Sequence, residues 1–218
     1  MDAMKSIGNS EEARQLRLLA DDLCTLLRTE APHLASQAGY WEAELHARTA
    51  AGLLAYHAVI ADPAPSRVAR MLAQRGLMMA DHLSAITERE GERGPTLVFA
   101  HNVHLQRQLS TMSLRGMNLE WWSAGAHISA RLGKRYAFIS SVLGSAKERE
   151  IGEPAPDSLE GVLMSLAGSV SLLGARALSA ALSEHRLTRT DIPVQAGYFP
   201  LEARHLALVD GVLFIKEG

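Results

Sequence analysis

The chain has 218 residues, 47% of them hydrophobic and 5% aromatic, with 22 basic and 24 acidic side chains. That length can bury a sizeable core, while a net charge of -2 gives no global drive toward nucleic acid or an anionic membrane. Cys24 is the only cysteine, which excludes an intrachain disulfide. The opening MDAMKSIGNSEEARQ lacks the apolar core of a signal peptide, and no apolar run reaches the roughly 18 residues of a membrane helix, so a cytoplasmic location is expected.

Ser10 followed by Glu11 and Glu12 predicts a helix start, and Leu16, Leu19, Ala20, Leu23, Leu26 and Leu27 then recur at helical spacing as one buried stripe. A second helix is predicted over 41–60, using Leu45, Leu53, Leu54 and His57, until Asp62-Pro63-Ala64-Pro65 stops it. A third starts at Ser66, carries Val68, Met71, Leu72, Met79, Leu83 and Ile86 on one face, and ends in the charged run 88–93. Beyond this helical part, strands alternate with helices. Residues 96–100, after the turn-forming Glu92-Arg93-Gly94-Pro95, read as a strand covered on both faces. A helix over 124–132 stopped by Gly133, a strand over 137–142, a helix from Ser158 and a strand over 211–215 follow. Asp157 and Glu160 bracket the Ser158 start like a capping box. For 168–173 periodicity leaves both strand and helix open. The expected fold is α/β, with helices packed on a mostly parallel sheet. It forms one domain over 1–218, mainly helical over 1–93 and alternating over 94–218, whose weakest joint is the loop 151–157.

The segment with the most chemical content is TLVFAHNVHL, residues 96–105, where the apolar run stops at two histidines flanking an asparagine. At the carboxyl end of a strand, His101, Asn102 and His104 would lie where α/β sheets bind ligands. An extended backbone would put the two imidazoles on opposite faces, whereas a turn would let them converge. Imidazole exchanges protons near neutral pH, but a core histidine bonded to a backbone carbonyl is the alternative for either. Zinc needs three or four ligands, and no third ligand stands at a recognisable spacing, so no metal is expected. The absence of a G-x-S-x-G segment removes the serine-hydrolase reading. Trp121 and Trp122 can line an apolar pocket, although such a pair commonly includes one plain core residue. His33, His46, His57, His127, His185 and His205 carry no comparable signal, and neither do the carboxylates Glu120 and Asp210.

Five segments together resemble the erythromycin esterase family. They are His101-Asn102-Val103-His104 with its preceding apolar run, Arg75-Gly76-Leu77-Met78-Met79-Ala80-Asp81-His82, Trp121-Trp122-Ser123-Ala124-Gly125 continuing to Leu132-Gly133-Lys134-Arg135-Tyr136, Pro154 to Glu160, and Tyr198-Phe199-Pro200 with Asp210 to Phe214. The resemblance implies water attack on a lactone or other carboxylic ester, with a macrolide among the candidate small-molecule substrates and no cofactor. It makes His101 and His104 the proton-transfer candidates and Arg75 a source of positive charge, although an interhelix ion pair is an equal alternative for Arg75. Asn102, Trp121 and Trp122 become the candidate substrate contacts.

Two departures bear on activity. Gly76 and His82 stand where the family usually has an acidic residue and an asparagine, and His82 reads as a tolerated substitution. The family's amino-terminal glycine-glutamate and histidine-glycine signature, which carries its proposed general base, occurs nowhere in these residues. The chain is therefore expected to correspond to the carboxyl-terminal half of a member and to be weak or inactive alone. Association with a separate amino-terminal half or a second copy stays open, as does an inactive ligand-binding or interaction protein.

Overall fold

The computed structural model describes residues 3–114, 116–166, 168–182, 188–189, 191–192 and 197–218; His185 lies outside them. Its contacts divide into two compact units, 1–97 with 110–124, and 98–109 with 125–218.

The first unit is built on three long helices. Helix α1 (Glu11–Thr29) starts where the sequence places it, the Ser10 hydroxyl accepting from Ala13 N–H at 3.2 Å. After the single turn α2 (Ala31–Leu34) come α3 (Tyr40–Ile60) and α4 (Arg67–Glu90). Helix α1 packs on α3 and α3 on α4. Apart from Ile60, the buried residues of these helices are small, Ala20, Ala47, Ala58, Gly76 and Ala80, and Gly52 lies against the Met78 side chain. The predicted buried stripe of α1 is corrected: Leu16, Leu19, Leu23 and Leu26 are exposed, Leu19 to 63%, and only Ala20 is buried. Periodicity identifies an apolar face, but burial needs an element to cover it. A hairpin of β1 (Ser110–Leu114) and β2 (Met117–Trp121), antiparallel from Ser110↔Trp121 to Leu114↔Met117, completes this unit, with α4 against β2.

The expected strand at 96–100 does not form. These residues have no ladder partner among the described residues, and Leu97 and Phe99 are 93% and 96% exposed. An apolar run becomes a strand only when a neighbour satisfies its backbone. Residues 102–105 instead form a one-turn helix, α5 (Asn102–Leu105).

The second unit holds α5 and α6 (Ala124–Leu132, all but its first residue), then β3 (Ile139–Ser145), α7 (Leu159–Leu166), β4 (Val170–Gly174), α8 (Ala175–Ala181) and β5 (Gly211–Glu217). Its sheet has the order β3-β5-β4. Strand β3 runs parallel to β5 from Ile139↔Gly211 to Ser145↔Glu217, while β4 is antiparallel to β5, so the sheet is mixed rather than mostly parallel. The alternating exposure of β4, with Val170 and Leu172 open, fits an edge strand with one solvated face. Phe138, Val142, Leu159, Leu163, Leu206, Val212 and Phe214 form the core on the other face. Ser158 caps α7 itself, its hydroxyl accepting from Gly161 N–H at 3.0 Å. Glu160 makes no capping box: it is fully buried and accepts from Tyr198, while Ser158 N–H donates to Ala155 O.

Candidate functional site

The turn at α5 decides the geometry of the histidine motif. His101 is its N-cap residue, with Nδ1 accepting from Val103 N–H at 3.2 Å, and Nε2 lies 2.7 Å from the Gly197 carbonyl oxygen. A carbonyl oxygen only accepts and a backbone N–H only donates, so these bonds assign the proton to Nε2. The turn brings the two imidazoles together, ring centroids 6.3 Å apart and nearly perpendicular. His101 also meets the Phe199 ring edge-on at 5.3 Å. His101 is exposed and His104 half-buried.

Asn102 faces away from this pair into β3. Its side-chain amide donates to Ser141 O at 2.6 Å and accepts from Ser141 N–H at 3.0 Å, taking the place of a neighbouring strand's peptide group on the free edge of the sheet. The other end of α5 is fixed by Tyr136, whose hydroxyl donates to Leu105 O. Burial pushes the Tyr136 hydroxyl up to about 12, so it remains a donor. Gly125 lies directly under the same carbonyl, where a Cβ would come within 1.9 Å of Leu105 O. Nearby, Arg107 pairs with Asp210 at 2.5 Å and donates to Tyr136 O, while Asp210 accepts from Phe138 N–H at 2.7 Å. Asp210 thus ties the starts of β3 and β5 together.

The remaining candidates belong to the first unit. Arg75 is exposed on α4, and the next residue, Gly76, is buried against the Trp122 carbonyl, where a Cβ would sit 2.6 Å away. No acidic side chain fits there, which accounts for one departure from the family pattern. Trp121 is 6% exposed and part of the core, whereas Trp122 is 52% exposed. His82 lies between helices. The Thr49 hydroxyl gives its proton to Leu45 O, so His82 Nε2 donates to Thr49 Oγ1 at 2.9 Å and Nδ1 is left buried without a partner among the described residues. Burial lowers the His82 pKa, which favours the neutral imidazole.

A buried polar cluster went unmarked by sequence spacing. Glu160 of α7 accepts from the Tyr198 hydroxyl at 3.1 Å, and that hydroxyl accepts from Leu143 N–H at 3.2 Å. The Arg189 guanidinium, buried in the same region, donates to Gly144 O at 2.5 Å and Gly152 O at 2.8 Å and pairs with Asp191 at 2.6 Å. Burial raises the Glu160 carboxyl and the Tyr198 hydroxyl, whereas the hydrogen bond from Arg189 lowers Asp191. Sequence offered one hint, the co-occurrence of Glu160 and Tyr198 in the segments that carry the family resemblance.

Among the described residues no group of three or more His, Cys, Asp or Glu side chains could hold a metal ion, and no helix is long and apolar enough to cross a membrane. A mixed α/β protein with a capped, paired-histidine turn is the class these features define. The family model for erythromycin esterase matches residues 2–218, and the chain belongs to that family. No curated protein and no solved structure matches it.

Proposed function

We propose that the chain is a hydrolase-type family member in which His101 and His104 handle proton transfer during water attack on a lactone or other carboxylic ester. The observation that carries this reading is the 6.3 Å approach of the two imidazoles, close enough to serve one small bound group. Family membership supports the ester class, and a macrolide lactone is the substrate we would test first. Within the unit that carries the histidines, Asn102 serves the site structurally, through its two bonds to Ser141 on β3. In an active form, His101→Ala or His104→Ala should each lower ester hydrolysis by about two orders of magnitude, as expected for proton-transfer groups. Near-wild-type turnover in both variants, with unchanged circular dichroism, would remove the motif from the reaction.

A second reading, a ligand-binding protein without turnover, draws on two specific observations. Both ring nitrogens of His101 are occupied, and the family's glycine-glutamate and histidine-glycine segment does not occur in these 218 residues. Groups that act as a unit fail together when one is missing. The purified chain, assayed on erythromycin and aryl esters beside a member containing that segment, is expected to turn over at least tenfold more slowly. Equal turnover would show that another residue of this chain activates water.

A further inference from the structure

We propose that Tyr198 is a positioning residue for His101, with Glu160 as the buried acceptor that holds the tyrosine hydroxyl in place. Three consecutive residues carry the case. Gly197, at φ +66°, turns its carbonyl onto His101 Nε2, and Phe199 packs edge-on against the same imidazole. Tyr198 between them places its hydroxyl between Leu143 N–H and Glu160 Oε1.

His101 is consequently held from two sides by one sheet edge. Its neighbour Asn102 is bonded to Ser141 on β3, and the segment contacting its ring is bonded through Tyr198 to Leu143, two residues further along the same strand. That spacing is about 7 Å along the strand. Ser141 and Leu143 thus offer successive backbone groups on the edge away from β5, and side chains rather than another strand engage them. Arg189 secures the end of that edge through Gly144 O and Gly152 O. Without the Tyr198 hydroxyl, Leu143 N–H and Glu160 Oε1 lose their shared partner and the Gly197 carbonyl loses its anchor. The His101 Nε2–H would then exchange its proton with water more freely.

The proposal bears on catalysis only through the role assigned to His101 above, but its main test needs no substrate. Ring proton exchange is read by low-temperature nitrogen-15 NMR on the full chain labelled at histidine, the His101 signal being assigned by its loss in His101→Gln. Wild type should show a protected Nε2–H. Tyr198→Phe, which keeps the ring and removes the hydroxyl, should exchange at least tenfold faster, with the amide signals of β5 unchanged. Glu160→Met, which removes the acceptor without touching the tyrosine, should do the same. Glu160→Gln retains an acceptor of the same reach and should stay within about twofold of wild type. Wild-type protection in folded Tyr198→Phe would overturn the proposal, as would loss of protection in Glu160→Gln, and this last variant is nearly isosteric. If the esterase reading also holds, Tyr198→Phe should lower kcat about tenfold with KM within twofold. Unprotected His101 with unaltered kcat would leave the positioning role standing and count against the catalytic one.

Discussion

At the residue scale, close backbone approaches constrain the site more tightly than the titrating groups do. Gly125 is the sharpest case, because the carbonyl a Cβ would strike is the one that ends the histidine turn and accepts from Tyr136. Gly125→Ala should destabilise the chain by about 1–3 kcal/mol, the usual cost of forcing a methyl into a packed position, and should disturb the His104 signals in NMR. An unchanged melting temperature would mean that α5 can slide at no cost. Gly76 follows the same logic under the Trp122 carbonyl. Sequence presented it only as a departure from a family pattern, since a contact between residues this distant in the chain leaves no trace in local spacing. Glu160 departs from its capping-box pattern for a related reason. An acid in the first turn of a helix has the appearance of a cap, and only the packing shows that its carboxyl turns inward to Tyr198.

At the scale of elements, local signals held where they were complete in themselves. Ser10 caps α1, 124–132 is a helix, and strands lie near 139–145 and 211–217; for 168–173, where spacing was ambiguous, the structure has a strand. The signals failed where they depended on a partner. The leucine stripe of α1 and the run 96–100 are both apolar by pattern, and both are left open. Leu19→Gln and Leu23→Gln should therefore each change stability by less than about 0.5 kcal/mol, as surface substitutions do; losses of several kcal/mol in urea titrations would show that this face is covered in solution. Asn102 is the opposite case, a polar motif residue with a structural task. Asn102→Asp keeps an acceptor for Ser141 N–H but sets a carboxylate oxygen against Ser141 O, where the amide now donates. We expect a loss of about 1–3 kcal/mol, the cost of leaving a polar group at this partly buried edge unsatisfied. A smaller loss would mean that water takes over the edge of β3.

For the molecule as a whole, the family and the mixed α/β class were legible because several short segments recur in the right order. Strand direction, and the two-unit division of contacts, were not, since neither is encoded in the periodicity of any one segment. The same distinction applies to stability against pH, which depends on burial. Burial raises the Glu160 carboxyl above its ordinary value, the hydrogen bond from Tyr198 and the charge of Arg189 opposing that shift only in part. Below the unfolded pKa both states hold the proton and no penalty arises. As pH rises toward the folded pKa, the unfolded chain releases a proton that the folded chain retains, and stability falls. Asp191 moves in the opposite sense, lowered by its bond from Arg189, so the net curve of the wild type is a mixture. Comparison with Glu160→Gln isolates the one group, because glutamine does not ionise and the Asp191 contribution is common to both proteins. The stability of Glu160→Gln relative to wild type should increase as pH rises above the ordinary glutamate range, measured by urea unfolding at each pH. A difference that stays flat, or that shifts toward the wild type as pH rises, would mean that Glu160 is ionised and well compensated in the fold, with Arg189 outweighing its burial.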